Sequence, residues 1–320
     1  MNIKIILIVL GEPFSTFSEI LGKYFSSKNN LKKKIILIGN IRLLKDQMKS
    51  LKYNFPLNEI DSYENAELNK VNIINVDFNY KKIFSKISSK SKTYIENCFN
   101  LSLSIIKKNS NRCSLINGPI SKKYFLKNKH LGITEYLSDK TGSKDEVMLI
   151  YNKSLSVSPI TTHIPLKYVT KKINKNKIIK NVLKINFFYN KILSKKIKFA
   201  VLGLNPHCET IDNFSEEDKI LVPAIYDLKK RGIKIEGPFP ADTFFLKKNL
   251  NKYNVVIGMY HDQVLTPIKT IYNFHAINIT LGLPFIRISP DHGPNSSMIG
   301  KNLSDPSSFK YAMKFLQNLK

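Results

Sequence analysis

The chain has 320 residues, 42% of them hydrophobic and 11% aromatic, a composition typical of globular rather than disordered proteins. Its formal net charge is +27, from 51 Lys and Arg against 24 Asp and Glu. Only four of the basic residues are arginine, the side chain that nucleic-acid-binding proteins use for bidentate contacts. The charge therefore indicates a lysine-rich solvated surface and no nucleic-acid partner. A basic protein that binds nucleic acid or other anions remains the alternative of a different class.

The three cysteines are odd in number and widely spaced, so no disulfide framework or zinc knuckle is indicated. The apolar run at residues 5–10 is too short for a signal-peptide core or a membrane span and predicts a buried strand. No other stretch reaches membrane length. We therefore expect a soluble, cytoplasmic protein with no membrane partner.

The first 120 residues alternate between strand-like and helix-like segments. Strands are predicted at residues 3–10, 35–38, 71–76 and 113–116, and helices at about 17–25, 43–51 and 93–108. In the last of these helices apolar residues recur every three or four positions, which is the spacing of one buried helix face. Repeated strand–turn–helix units predict an α/β fold.

The middle of the chain has a different pattern. Residues 146–151 and 154–160 are β-like and flank Asn152-Lys153, which predicts a hairpin in a second domain or in an antiparallel extension of the sheet. A long helix is predicted at 174–194. Alternation then returns, with strands at 199–204, 255–257, 276–279 and 285–288, helices at 215–230 and 306–319, and a rigid loop at 237–243.

Three histidines, His163, His207 and His261, each follow a predicted strand. Because α/β proteins place their chemistry at the carboxyl ends of strands, the three imidazoles could face one edge of a sheet. A catalytic divalent-metal site uses three protein ligands and leaves a position open for substrate. Their spacing is no local metal motif, however. The residues alone leave two interpretations open, a shared metal ion or three separately hydrogen-bonded histidines.

Lys269, Asn278 and Arg287 follow His261 across the next loops and strands. Such donors beside a metal ion would suit a small substrate that carries phosphate and carboxylate groups. Arg287 is the strongest indication, because it lies in an apolar segment and a partly buried arginine usually has an anionic partner. The sequence has neither GxGxxG after its first strand nor GxxxxGK[ST], so a dinucleotide would need another loop, for which residues 291–306 are the candidate.

Together these motifs resemble the 4-hydroxythreonine-4-phosphate dehydrogenase family of pyridoxine (vitamin B6) biosynthesis. The matching stretches occur in the family's order and span nearly the whole chain. They are residues 117–122 (NGPISK), 134–137 (TEYL), 161–166 (TTHIPL), 203–207 (GLNPH), 237–243 (GPFPADT), 260–263 (YHDQ), 278–287 (NITLGLPFIR) and 291–293 (DHG).

The resemblance implies the fold of the isocitrate and isopropylmalate dehydrogenases, with two α/β subdomains and the active site in the cleft between them. It also implies a homodimer whose interface completes that site. One subdomain is expected at about residues 1–120 plus 250–320. The other, carrying the metal and the dimer contacts, is expected at about 121–249.

The resemblance further assigns roles to individual residues. The implied divalent-metal ligands are His163, His207 and His261. The implied substrate contacts are Thr134, Lys269, Asn278 and Arg287. The implied cofactor loop contains His292 and Gly293. Asp242 and Asp262 are the candidate catalytic carboxylates, which would orient the substrate amine or relay a proton.

The implied reaction is an NAD-dependent, metal-assisted oxidation of the secondary alcohol of 4-phosphooxy-L-threonine. Its product is a β-keto acid that loses carbon dioxide to give 3-amino-2-oxopropyl phosphate. NADP stays open as the cofactor. The metal ion is expected to be zinc or, alternatively, cobalt, magnesium or manganese.

Two departures from the family pattern concern the substrate. Ile133 stands where the family has a histidine in Gly-His-Thr-Glu, and His130 is a candidate replacement three positions earlier. The family's glycine-rich amino-terminal motif is reduced at residues 11–19. The same chemistry on threonate or erythronate 4-phosphate therefore stays an alternative, as does an acyl-phosphate transferase on a related fold that uses coenzyme A.

Overall fold

The computed structural model describes residues 3–27, 30–126, 129–211, 214–273, 275–290 and 293–319. Its strands are β1 (Ile5–Val9), β2 (Lys34–Gly39), β3 (Leu57–Glu59), β4 (Val71–Asn75), β5 (Cys113–Asn117), β6 (Val147–Tyr151), β7 (Ser156–Thr161), β8 (Phe199–Leu202), β9 (Ile235–Phe239), β10 (Val255–Tyr260), β11 (Ile277–Leu281) and β12 (Ile286–Ser289). None of its helices is long and apolar enough to cross a membrane, within the residues described.

The α-helices are α1 (Phe17–Phe25), α2 (Ile41–Ser50), α3 (Lys92–Lys108), α4 (Ile133–Thr141), α5 (Val169–Lys172), α6 (Lys175–Phe187), α7 (Val222–Lys230), α8 (Ala241–Phe244), α9 (Lys247–Leu250), α10 (His261–Tyr272) and α11 (Ser307–Asn318). Wider π-helical turns occur at Lys122–Leu126, Phe188–Ile192 and Glu217–Leu221. The turns Pro206–Cys208 and Ser296–Met298 are 3-10 helical.

The chain divides into two compact units. Unit 1 comprises residues 1–141 and 283–320, and unit 2 comprises residues 142–282. Unit 1 is thus built from both ends of the chain. The expected boundaries near 120 and 250 fall earlier in the sequence than these. The difference arises because α4 packs into the hydrophobic core of unit 1, whereas β10 and β11 pair with strands of unit 2.

Unit 1 contains a parallel sheet in the order β3-β4-β2-β1-β5-β12. The central strand β1 is apolar at every position and buried throughout, as expected for a parallel strand covered on both faces. On one face α3 packs Ile95, Phe99 and Ile106 against this sheet. The predicted apolar face of α3 is confirmed at these positions. Because β1, β5 and β12 run in the same direction, their carboxyl ends lie at one edge of the sheet.

Unit 2 contains a mixed sheet in the order β11-β6-β7-β10-β8-β9. The predicted hairpin is confirmed, since β6 and β7 are antiparallel neighbours, and β11 extends it in antiparallel register. Strands β7, β10, β8 and β9 are parallel. The carboxyl ends of β7, β10 and β8, which precede the three candidate metal ligands, therefore share one edge.

Three local predictions differ from the structure. The helix predicted at 174–194 is α6 only to Phe187, after which the backbone widens into a π-helical turn. The loop predicted at 237–243 is partly regular, because β9 runs to Phe239 and α8 begins at Ala241. The edge strand β3 was not predicted, since three residues are too few to show a periodic pattern.

Candidate functional site

Polar side chains join the carboxyl ends of three strands in unit 2. The Thr161 hydroxyl, at the end of β7, donates to the Met259 carbonyl of β10 at 2.7 Å. The Gln263 amide accepts from the Met259 N–H at 2.7 Å and donates to the Gly203 carbonyl, just after β8, at 2.8 Å. These bonds hold the three strand ends together. Each of the three histidines comes shortly after one of these strand ends in the chain.

His163 and His261 are brought together at that edge. Their ring centroids are 6.0 Å apart. His261 is the first residue of α10, and its Nδ1 lies 2.7 Å from Oδ1 of Asp262. Because a carboxylate can only accept, this bond places the imidazole proton on Nδ1 and leaves the Nε2 lone pair for a ligand. Asp262 thus acts on the tautomer of His261.

His207 lies on a separate turn, and Glu217 shapes the segment that leads into it. The Glu217 carboxylate accepts from the Leu204 N–H at 2.7 Å, from the Asn205 N–H at 2.9 Å and from Nδ2 of Asn205 at 2.9 Å. Burial alone would raise the pKa of Glu217, but these hydrogen bonds outweigh it and lower the pKa. His207 itself is exposed, with a left-handed φ of 55°.

The predicted three-histidine metal site is only partly assembled within one chain. Imidazole nitrogens are suitable donors for zinc and similar ions. His163 and His261 offer two such nitrogens, and Asp262 fixes the tautomer of His261. Within the described ranges, no three His, Cys, Asp or Glu side chains lie close enough together to hold a metal ion. The described residues therefore bring His163 and His261 together but do not complete a three-ligand metal site within one chain.

The other predicted residues of unit 2 lie on α8, α10 and β11. Asp242 is exposed in the first turn of α8. The pKa of Cys208, next to His207, is raised mainly by burial, then by the charge of Glu217, and to a smaller extent by the charge of Asp242. Lys269 is exposed on α10. Asn278 lies on β11, and its buried Oδ1 accepts no hydrogen bond from the described residues. A buried amide oxygen without a protein donor is suited to accept from a ligand.

Arg287 and Thr134, the predicted substrate contacts of unit 1, are brought together. The Arg287 guanidinium on β12 is 1% exposed and donates from Nε to Oδ1 of Asn117 at 2.8 Å and from Nη1 to Oγ1 of Thr134 at 3.0 Å. Burial lowers the pKa of Arg287 to about 10, and the charge of Glu135 opposes this shift. The side chain therefore remains a cation at neutral pH.

A pocket of about 440 Å³ lies at the same edge of unit 1. It is lined by residues 117–122 together with Ile133, Ser289, Gly293 and Pro294. Ile133 thus presents an apolar wall where the family has a histidine. The candidate replacement, His130, does not line this pocket, since its Nε2 lies 3.5 Å from Asp139 and its ring packs edge-on against Tyr136.

The predicted cofactor loop is described in part. Gly293 borders the pocket, whereas Asp291 and His292 lie outside the described residues. Beyond Gly293 the loop has left-handed residues at Asn295 and Gly300, with φ of 47° and 73°.

Two site residues were not singled out by sequence reasoning. Asn117, which fixes the Arg287 guanidinium, stood in a matching motif but was given no role. Glu217, which organises the turn of His207, lies in what was predicted only as the first turn of a helix with early acidic residues. An acidic residue at a helix start usually reports the helix dipole, so the sequence held no signal for its contact with Asn205.

Comparisons with known proteins identify the family of this chain. A family model described as pyridoxal phosphate biosynthetic protein PdxA matches residues 31–316. A 4-hydroxythreonine-4-phosphate dehydrogenase from Sulfurihydrogenibium sp. (strain YO3AOP1) is 36% identical over 308 residues, which are 94% of each chain.

Solved structures resemble the fold. The 4-hydroxythreonine-4-phosphate dehydrogenase from Klebsiella pneumoniae superposes with a TM-score of 0.85 at 24% identity, covering 98% of this chain and 97% of that one. Isocitrate dehydrogenase from Methylococcus capsulatus has a TM-score of 0.50 at 8% identity, covering 98% and 85%. The predicted isocitrate dehydrogenase-like α/β fold is confirmed.

Proposed function

The chain belongs to the PdxA family of pyridoxal phosphate biosynthetic proteins, the 4-hydroxythreonine-4-phosphate dehydrogenases, and from that premise we propose its detailed reaction. It is an oxidoreductase, and a dehydrogenase of this kind uses a nicotinamide cofactor, which we propose to be NAD. The secondary alcohol of 4-phosphooxy-L-threonine is oxidised to a ketone while NAD is reduced to NADH and a proton is released. The resulting β-keto acid loses carbon dioxide to give 3-amino-2-oxopropyl phosphate.

The observation that carries this proposal is the buried cation of Arg287. The guanidinium is 1% exposed, is oriented by Asn117 and Thr134, and is kept protonated in part by the nearby charge of Glu135. Its planar donors match a phosphate or carboxylate oxygen pair. Arg287 and Thr134 would therefore bind an anionic group of the substrate, and the fixed guanidinium would lose little side-chain entropy on binding.

In unit 2, His163 and His261 would hold the divalent metal, with His207 as the third ligand. When bound, such an ion supplies a Lewis acid that lowers the pKa of a substrate hydroxyl. Asp262 keeps Nδ1 of His261 protonated and so presents Nε2 as the donor. We propose zinc, with cobalt, magnesium and manganese as the alternatives to compare.

Further residues of unit 2 would orient the substrate. The buried Oδ1 of Asn278 would accept from a substrate N–H or O–H, and Lys269 would add a second cation for its anionic groups. Asp242 lies beside the turn of His207 and would orient the substrate amine or take up a proton. Gly293 and its neighbour His292 would belong to the loop that binds NAD.

We also propose a homodimer, because a metal site that has two histidine ligands from one chain can take its third ligand from another chain. Unit 2 also leaves several large apolar side chains exposed, which an interface between two chains would bury. They are Leu166, Tyr168, Phe187, Ile211, Phe214, Val222, Tyr226, Leu246 and Ile271. The free thiols Cys98 and Cys113, both buried, accord with the reducing cytoplasm that we propose as its location.

The apolar pocket wall formed by Ile133 favours one alternative substrate class. An apolar side chain in place of a histidine removes a donor that the family's substrate would use, so threonate or erythronate 4-phosphate is the alternative substrate of the same chemistry.

NADH formation tests the proposal directly. Metal-depleted protein would be reloaded with each divalent ion and assayed by absorbance with 4-phosphooxy-L-threonine, threonate 4-phosphate and erythronate 4-phosphate, each with NAD and NADP. We expect turnover with the amino acid ester and NAD. Faster turnover of threonate or erythronate 4-phosphate would make that ester the assigned substrate. If none of the esters yields NADH, the dehydrogenase proposal is overturned.

A further inference from the structure

The segment that joins β12 to α11 is fastened to α1 by side chains that lie outside both candidate sites. We call residues 293–306 the cofactor loop and the side chains of Glu19 and Lys23 the latch. The two latch residues are one helical turn apart on α1, and Nζ of Lys23 lies 2.8 Å from Oε1 of Glu19.

The latch binds the backbone of the cofactor loop at its carboxyl-terminal end. Nζ of Lys23 donates to the Ser304 carbonyl at 2.6 Å and to the Asn302 carbonyl at 3.1 Å. The Ser304 N–H donates to Oε1 of Glu19 at 2.5 Å. Glu19 is 1% exposed and Ser304 is 5% exposed, so the bond between them is shielded from water, whereas Lys23 is partly open to solvent.

A tyrosine fixes the same point of the loop from the other side. Tyr53 donates its hydroxyl to Oδ1 of Asn302 at 2.6 Å. Its ring lies against Gly22 of α1, where a Cβ atom would come within 2.6 Å of the ring. Asn302 has a φ of 60°, a left-handed conformation that asparagine tolerates better than most residues. The contacts therefore hold a specific turn of the loop.

Anchoring of α11 itself does not depend on the latch. Phe309 of α11 is fully buried and packs edge-on against Phe17 and Tyr24 of α1, with ring centroids 5.6 and 5.2 Å away. Aromatic burial of this kind stabilises the junction of the two helices. The additional buried ionic contacts to the loop backbone thus act on the conformation of the loop more than on the packing of the helix.

We infer that Glu19 and Lys23 are positioning residues for cofactor binding, which set the conformation of the cofactor loop without touching the substrate. This inference rests on the proposed use of NAD and on the proposed role of the loop. A preordered loop binds its ligand without the cost of ordering at the moment of binding. Loss of the latch should therefore weaken binding of the nicotinamide cofactor and leave substrate binding unchanged.

The full-length variant Lys23→Met tests this, because methionine keeps the length of the apolar stem and removes the donor. Lys70→Met is the matched control, since Lys70 forms an exposed pair with Glu67 at 2.8 Å in the same unit. Measurements are the Kd of NADH from fluorescence titration, KM for NAD, KM for the phosphate ester, kcat and Tm.

We expect Lys23→Met to raise Kd of NADH and KM for NAD by about tenfold, with kcat and KM for the ester within about twofold of the wild type. Lys23→Arg, which can donate to the same carbonyls, should recover most of the affinity, and Lys70→Met should change nothing. If Lys23→Met does not fold, Tyr53→Phe removes one hydroxyl from the same turn and should raise both constants by a smaller factor.

Folded Lys23→Met with unchanged NADH affinity would overturn the inference while leaving the proposed function intact. A variant that only loses Tm, or whose KM for the ester rises equally, would also overturn it. Failure of the wild type to bind NADH would overturn the proposed cofactor and the inference together. Hydrogen exchange of amides 295–304 would then still report whether the latch orders the loop.

Discussion

The guanidinium of Arg287 and the hydroxyl of Thr134 are 3.0 Å apart, although the two residues are separated by 153 positions in the chain. The contact joins β12 to α4 inside unit 1 and fixes a buried cation at the carboxyl end of the parallel sheet. Burial lowers the pKa of Arg287 to about 10, which still leaves it protonated at neutral pH. A fixed, charged fork at this place is what a phosphate or carboxylate ligand requires.

Replacement of Arg287 by lysine should reduce kcat/KM by about a hundredfold, because the ammonium keeps the charge but loses the bidentate geometry. The loss should appear mainly as a higher KM for the phosphate ester. Arg42→Lys is the matched control, since Arg42 is exposed and lies 5.9 Å over the Tyr80 ring. Wild-type KM in folded Arg287→Lys would show that this cation does not bind substrate.

The side chain at position 133, which lines the pocket of unit 1, should decide which phosphate ester is preferred. Ile133→His restores the residue that the family has there and adds a hydrogen-bond donor to the pocket. We expect kcat/KM for 4-phosphooxy-L-threonine to rise by about tenfold relative to threonate 4-phosphate. The ratio of the two specificity constants is the measurement. Ile133→Leu, which keeps an apolar wall, should leave the ratio unchanged, and an equal response of both variants would speak against position 133.

Removal of the Asp262 carboxylate should weaken metal binding without removing a ligand. In Asp262→Asn the neutral amide can donate to Nδ1 of His261 as well as accept from it, so the tautomer that presents Nε2 loses its preference. Partners of metal-bound imidazoles typically contribute about 10–100-fold to affinity. Titration of metal-depleted protein with zinc checks this, and His275→Gln serves as the histidine control. Unchanged zinc affinity in Asp262→Asn would argue against His261 as a ligand.

The carboxylate of Glu217 should stabilise unit 2 in a pH-dependent way. Its pKa in the folded protein is lowered, because hydrogen bonds to Leu204 and Asn205 outweigh the effect of burial. Its contribution is therefore fully present above the unfolded pKa near 4.5 and is lost as the pH falls through the lower folded value. Urea unfolding of Glu217→Gln should show a loss of about 2 kcal/mol at pH 7.5.

The difference between wild type and Glu217→Gln should shrink as the pH falls below about 4.5, since the wild-type side chain then becomes neutral as well. Glu216→Gln is the neighbouring control, because its amide oxygen can still accept the single bond from Nδ2 of Asn205 at 2.9 Å. A Glu217→Gln destabilisation that does not depend on pH would mean that packing, rather than charge, is the source.

Much of the fold was predictable because its strands are long apolar runs. The strand β1 and the hairpin of β6 and β7 follow from local patterns that tertiary structure did not override. The unit boundaries were less predictable, because the pairing of β11 with β6 joins segments far apart in sequence and leaves no local signal. The same holds for the latch, where Glu19 and Lys23 contact residues about 280 positions away.

The sequence predicted which residues form the candidate site better than it predicted the contacts between them. The family resemblance named Arg287 and Thr134, and the structure brings these two together. It also named three histidines, of which His163 and His261 are close, whereas no group of three ligands forms among the described residues. The conformation of the His207 turn depends on Glu217, and no spacing rule could have indicated this long-range hydrogen bonding.

The coupling of oxidation to decarboxylation is the central claim, and isotope release tests it most directly. Metal-loaded protein would be given NAD and 4-phosphooxy-L-threonine carrying ¹³C in the carboxyl group, while NADH is followed by absorbance and ¹³CO₂ by mass spectrometry. We predict that labelled carbon dioxide and NADH form in equal amounts, and that both rates fall together in Arg287→Lys. NADH without labelled carbon dioxide, or neither product, would contradict this account.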